Sequence, residues 1–198
     1  MDNIINHKLG EKIEILKLLI ENKEETYSIR KIALQRKINY KSAYNALKIL
    51  EEERIVNLKR AGNTLLCTFN NSFNDLVFRA EYSRRENIFR KREFPAIYNS
   101  LAKLEFSFII LLFGSYAKGT ENKHSDIDLL LISDEEHFKK VQEIISIFPQ
   151  DIHLTPVTYE SFMRMTRSKE FTVVSEAIKK NVILIGIEEY YRLLKNAR

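Results

Sequence analysis

The chain has a single cysteine, Cys67, and no tryptophan. One thiol excludes a disulfide framework within the chain and suits a reducing cytoplasm. Cys67 follows Leu65 and Leu66 and reads as a small buried hydrophobe, not a nucleophile. Long apolar runs are also missing. Phe106–Phe113 is too short for a bilayer, which takes about 20 residues. The apolar positions near the amino terminus are interrupted by Glu11, Lys12, Glu14 and Lys17, so they read as an amphipathic helix and not as a signal peptide. There are no internal repeats and no low-complexity tracts. The expectation is a cytoplasmic protein with no membrane partner.

What is present is enough to build cores. The 198 residues are 44% hydrophobic and 30% charged, which argues against disorder and allows one or two domains. The net charge of +5 is unevenly spread: residues 1–103 carry +7 and residues 104–198 carry −2. The first half is therefore the better candidate for a polyanionic partner.

Leu9, Ile13, Leu16, Leu19 and Ile20 have helical spacing over residues 8–22. Ser28 is placed to cap a second helix ending near Arg36, and a third spans about residues 40–53 with Ala43, Ala46, Leu47 and Leu50 on one face. Strand-like runs at residues 55–59 and 64–69 flank a turn at Ala61, Gly62 and Asn63. Three helices followed by a hairpin resemble the winged helix-turn-helix family over about residues 8–70. Between Ser28 and Lys48 stand Arg30, Lys31, Arg36, Lys37, Lys41 and Lys48, with no acidic residue. Cations there would neutralise phosphates, while Tyr40, Ser42, Tyr44 and Asn45 would reach base edges or phosphates in a major groove and Lys59 and Arg60 would sit on the wing. Double-stranded DNA is the expected partner. The alternative is a protein-binding helical bundle with a solvated basic face.

A polar break at residues 70–74 precedes a charged amphipathic stretch, expected to be a connecting helix that breaks near Pro95 and resumes through Ile97, Leu101 and Leu104. Arg84, Arg85, Arg90, Lys91 and Arg92 on it read as a solvated face or an extension of the basic surface. From residue 106 the pattern alternates: strands at 106–113, 127–132, 152–158 and 182–185, and helices at 138–148, 159–165, 173–180 and 188–194. This is α/β (α+β) organisation. The expected domains are residues 1–72, a connecting segment 73–104, and residues 105–198.

The informative segment begins where the first apolar run meets Gly114-Ser115 and ends at Ser125-Asp126-Ile127-Asp128. Gly114 permits close backbone approach, and amides opening a turn at Ser115, with its hydroxyl, suit a triphosphate. Ten residues separate Ser115 from Asp126. Alternation puts Asp126 and Asp128 on one strand face and Ile127 and Leu129 on the other. Two adjacent carboxylates repel, and a divalent cation resolves the repulsion. This segment resembles the nucleotidyltransferase (DNA polymerase β-like) superfamily, including the small Ala117 and the second glycine, Gly119.

The resemblance implies that Gly114 and Ser115 bind β- and γ-phosphates, with support from Lys118 and Lys123, and that Asp126 and Asp128 hold Mg²⁺ or Mn²⁺. His124 reads as a surface loop residue. The family's active members take a third carboxylate from a later strand. Here that strand offers Asp151 when aligned from its start and Thr155 when aligned from its end, with His153 between them as a weaker Mg²⁺ ligand or a base. Two functions follow. One is transfer of a nucleoside monophosphate from a nucleoside triphosphate to a hydroxyl. The other is a DNA-binding regulator, or an antitoxin-like protein acting on a partner toxin, with a nucleotide-sensing transferase domain and a homodimeric state.

Overall fold

The computed structural model describes residues 2–168 and 172–197. Its contacts divide the chain into two units, Met1–Ala80 and Glu81–Arg198.

In the first unit, α1 (Asp2–Glu21) buries Ile15, Leu16, Leu19 and Ile20. A two-residue strand, β1 (Tyr27–Ser28), leads into α2 (Ile29–Arg36), whose first turn is capped by the Ser28 hydroxyl accepting from the Lys31 amide at 3.2 Å. Lys37 closes α2 in the left-handed region at φ 52°. Asn39 then caps α3 (Tyr40–Glu52), which buries Ala43, Ala46, Leu47 and Leu50 as its spacing predicts. β2 (Val56–Ala61) and β3 (Thr64–Phe69) pair from Val56–Phe69 to Ala61–Thr64, so the loop is only Gly62 and Asn63. Gly62 takes φ +58°, which costs a glycine least. β1, too short to be legible in the sequence, pairs Tyr27 with Cys67, giving the sheet order β1-β3-β2. Cys67 is buried there, and burial pushes its thiol up to about 12.

α4 (Asp75–Phe89) contributes to both units. It ends before the expected break: α5 (Glu93–Leu101) carries Pro95 inside its first turn. A first-turn amide has no intrahelical partner, so proline is tolerated there. Arg84 and Arg85 do not form a solvated face. Arg84 is buried against Glu81 at 2.5 Å and the Asn181 carbonyl at 2.5 Å, and Tyr191 donates to Glu81 at 2.7 Å. Arg85 lies over the rings of Tyr82, Phe89 and Tyr98 and donates to the Leu184 carbonyl.

The second unit is built on a four-stranded sheet. β4 (Ile109–Phe113), α6 (Gly114–Lys118), β5 (Ile127–Ile132), α7 (Phe138–Ile145), β6 (Ile152–Val157), α8 (Tyr159–Arg167), α9 (Val173–Lys179), β7 (Val182–Ile185) and α10 (Ile187–Ala197) follow in order. The sheet order is β6-β5-β4-β7, with β5 and β6 parallel and the other pairs antiparallel. Ile110, Leu112, Leu129 and Leu131 share a core with Phe94, Ile97 and Leu101 of α5 and Val141 and Ile145 of α7. Leu111, Leu130 and Ile132 alternate with them and are equally buried, so β4 and β5 are covered on both faces. β4 is shorter than the apolar run predicts. Phe106 lies before it, stacked on His137 with ring centroids 3.8 Å apart. β6 is an edge strand, and Pro156 keeps the regular register opposite Leu131 without a bulge.

Candidate active site

β4 and β5 pair through Phe113 and Asp128, so the strand end that opens into α6 lies beside the second aspartate. Gly114 has φ +67°, and a Cβ there would stand 2.0 Å from Asp128 Oδ2. Only a residue without a side chain lets this carboxylate lie against the backbone. α6 is a single turn closed by Gly119 at φ +69°, with the Thr120 amide returning to the Ser115 carbonyl at 3.1 Å. The chain then reaches β5 through a local turn. The Asn122 amide donates to Ser125 Oγ at 2.8 Å, and the Ser125 amide donates to the Asn122 carbonyl at 3.1 Å. Ser125 thus shapes the entry to Asp126, a role its identity alone does not announce. His124 and Lys123 are exposed on this loop.

The parallel register places Ile152 beside Ile127 and His153 beside Asp128. His153 Nδ1 lies 3.9 Å from Asp126 Oδ2 and 3.8 Å from Asp128 Oδ1, and its Nε2 lies 3.8 Å from Asp151 Oδ1. Ligand atoms of Asp126, Asp151 and His153 lie within 4.8 Å of one another. Asp151 precedes β6, and its carbonyl accepts from the Ile127 amide at 2.9 Å, tying the two strand starts together. Thr155 pairs with Leu130, two residues further along, so the alignment that put it beside the aspartates does not hold. The residue facing both aspartates is His153. The signal was its shared parity with Asp151, but strand register is set by tertiary pairing and not by the local sequence.

Asp128 is half-buried, and its carboxyl is pushed above its ordinary range. Burial is the main cause. His153 opposes it, Asp126 and Glu176 add to it, and Lys118 opposes it weakly. Lys118, expected near phosphate, is ion-paired with Glu176 of α9 at 2.9 Å. Glu176 was not anticipated. Tyr116 packs edge-on against Phe94, with Lys91 over its ring, and Lys91 also pairs with Glu121 and holds that carboxyl below its ordinary range. Ser115 is half-buried in α6. The donor set of carboxylates and an imidazole, with a backbone position that a Cβ would block, fits a divalent cation.

Residues 98–185 match the nucleotidyltransferase domain. The match runs from within α5 to the end of β7 and takes in the whole four-stranded sheet. It also spans Gly114, Asp126, Asp128, Asp151 and His153. Among solved structures, "Crystal structure of the toxin-antitoxin with AMP-PNP" is similar at 22% identity, covering 52% of this chain and 86% of that one, with a TM-score of 0.36. No curated protein matches.

Outside the matched segment, the basic residues of the first unit separate into two groups. Arg36 turns back to α1, 2.9 Å from Glu21 and 3.8 Å from Glu14. Lys48 pairs with Glu51 at 2.8 Å, and Lys31 lies 3.5 Å from Glu25 and over the Tyr27 ring. Arg30, Lys37 and Lys41 are exposed around the α2–α3 turn with Tyr40 and Asn45, while Ser42 and Tyr44 are half-buried. Lys59 and Arg60 are exposed near the β2–β3 loop. Among the described residues, no helix is long and apolar enough to cross a membrane.

Proposed function

We propose that this chain transfers a nucleoside monophosphate from a nucleoside triphosphate to a hydroxyl acceptor, and that its first unit is a winged helix-turn-helix that docks on double-stranded DNA. The Asp128 carboxylate seated over Gly114, inside a segment matching the nucleotidyltransferase domain, carries the first half of this reading. In it, Asp126 and Asp128 hold Mg²⁺ or Mn²⁺, with Asp151 and His153 at the opposing strand start. Gly114 and Ser115 receive the phosphate tail at the open end of β4, and Lys123 on the neighbouring loop adds positive charge. A bound divalent cation supplies charge neutralisation at the phosphates. The chain's own residues would hold the two groups: Gly114 by exposing backbone to the phosphates, and Asp126 and Asp128 by presenting oxygens to the cation.

Incubation with Mg²⁺ or Mn²⁺ and labelled nucleoside triphosphates tests this reading. Label is expected on a nucleic acid, protein or small-molecule acceptor with the wild-type chain, and not with Asp126→Ala/Asp128→Ala. Equal labelling by both rejects it.

A second reading is favoured by one observation. The position opposite Asp128 on β6 is His153 and not a carboxylate. In that reading the domain binds nucleotide without transferring it, and the chain acts as a homodimeric DNA-binding regulator or as an antitoxin-like protein on a partner toxin. Nucleotide binding by calorimetry without label transfer, lost in Asp126→Ala/Asp128→Ala, selects it.

A further inference from the structure

We infer that His153 is a nitrogen ligand of the metal held by Asp126 and Asp128, and that it gives the site a preference for a borderline divalent cation such as Mn²⁺ or Co²⁺ over Mg²⁺. The inference rests on the reading of this site as metal-binding and specifies which metal class it takes.

The two ring nitrogens of His153 face different neighbours. Nδ1 is directed at Asp126 and Asp128, at 3.9 and 3.8 Å, while Nε2 is directed at Asp151, at 3.8 Å. Two ligands on one octahedral ion with bonds of about 2.1 Å are separated by roughly 3 Å when adjacent and roughly 4.2 Å when opposite. Both Nδ1 separations fall inside that interval, and Asp126 and His153 offer ligand atoms within 4.8 Å of each other, so an ion between these two is reached with small side-chain rotations and Asp128 borders it from the neighbouring strand position. The backbone enforces the arrangement: His153 is the registered neighbour of Asp128 in the parallel pair, and both strands start together through the Asp151 carbonyl. Nε2 faces Asp151 at 3.8 Å, beyond hydrogen-bond range, and Nδ1 is the nitrogen turned to both aspartates.

Chemistry sets the consequence. Mg²⁺ is hard and favours oxygen, whereas imidazole binds later divalent ions better along the series from Mn²⁺ upward. Exchanging a carboxylate for a neutral imidazole also removes one negative charge from the ligand set, which weakens the hold on a hard cation most. Asp126 and Asp128 alone carry no such preference. The selectivity therefore resides in His153.

The experiment uses the full chain with Mn²⁺ alone and compares wild type, His153→Asp, His124→Ala and Asp126→Ala/Asp128→Ala. His153 is largely exposed, so its replacement leaves the core intact. Pulsed electron paramagnetic resonance reads nitrogen coupling to Mn²⁺, and displacement by Mg²⁺ gives the affinity ratio. Wild type and His124→Ala are expected to show the nitrogen coupling. His153→Asp is expected to lose it and to shift the Mn²⁺/Mg²⁺ ratio toward Mg²⁺ by about tenfold or more, the usual size of a ligand-sphere change. Mn²⁺ binding that depends on the aspartates but shows no nitrogen coupling, or a ratio unchanged in His153→Asp, overturns the inference and leaves the metal-dependent transferase reading standing. Mn²⁺ binding indifferent to Asp126→Ala/Asp128→Ala, or no binding at all, overturns both.

Discussion

At Gly114 two constraints coincide. The backbone stands at φ +67°, and Asp128 Oδ2 fills the space of a Cβ. The left-handed conformation costs a non-glycine residue roughly 1–2 kcal/mol, and the displaced carboxylate adds to that. Gly114→Ala is therefore expected to lower unfolding stability by at least that amount in urea titrations and to weaken Mn²⁺ binding. Because the cost is shared with Asp128, the double variant Gly114→Ala/Asp128→Ala should be less destabilised than the two single effects added together. Strict additivity would show that the close approach has no energetic consequence. Asp128 itself titrates above its unfolded value, chiefly through burial. An acid shifted this way favours the fold when protonated. The contribution is present below the unfolded pKa and is lost as pH rises through the folded one. In chelator at neutral pH, Asp128→Asn should therefore melt at a higher temperature than wild type, with a flatter pH dependence on the acid side, while losing metal. A lower melting temperature across that range would mean that His153 and not burial governs the group.

Among the elements, those defined by short-range chemistry were legible and those defined by partners were not. Ser28 acts as a cap in the structure, and Gly62 sits in the hairpin loop, because each serves its own neighbours through one hydrogen bond or one dihedral angle. The alternation of β5 is also local; Asp128 lies on it, while Asp126 stands one residue before it, and both carboxylates lie within 3.9 Å of His153 Nδ1. Pro95 marked the break to within a turn: the helix ends at Phe89 and resumes at Glu93, with the proline in the new first turn, where a missing amide is harmless. Arg84 misled because periodicity cannot tell a solvated cation from one buried against Glu81. His153 was one of three candidates on its strand, and the register of β6 beside β5 singled it out. The Arg84 network yields its own expectation. Removing one partner of a buried ion pair costs about 3–5 kcal/mol, because the other charge stays desolvated. Arg84→Ala should lose stability on that scale in urea titrations. Glu81→Gln/Arg84→Met should lose less, since it leaves no buried charge, although Tyr191 and the Asn181 carbonyl still require partners. Equal losses in the two variants would argue that packing of the arginine stem, and not charge, holds α4 to this core.

For the whole molecule, the uneven charge places two kinds of electrostatics on one chain. Residues 1–103 carry the positive excess and residues 104–198 a small negative one, and the site in the second unit needs carboxylates while DNA needs cations. The two activities of the proposed reading should therefore fail independently. Arg30, Lys37 and Lys41 are exposed around the α2–α3 turn, whereas Arg36 is engaged by Glu21 and Glu14. Each phosphate contact contributes about −0.9 to the slope of log affinity against log salt. Arg30→Ala/Lys37→Ala/Lys41→Ala should therefore make that slope shallower by about 2 to 3 in gel-shift titrations with random duplexes. Arg36→Ala should leave the slope unchanged and lower stability instead. With a small-molecule acceptor, the triple variant should transfer label at the wild-type rate, and Asp126→Ala/Asp128→Ala should bind DNA with the wild-type salt slope. A triple variant that keeps the full slope would remove DNA from the account of the first unit. A fall in both activities from either set of substitutions would mean that the units are energetically coupled, so that DNA acts on the transferase site and does not merely position it.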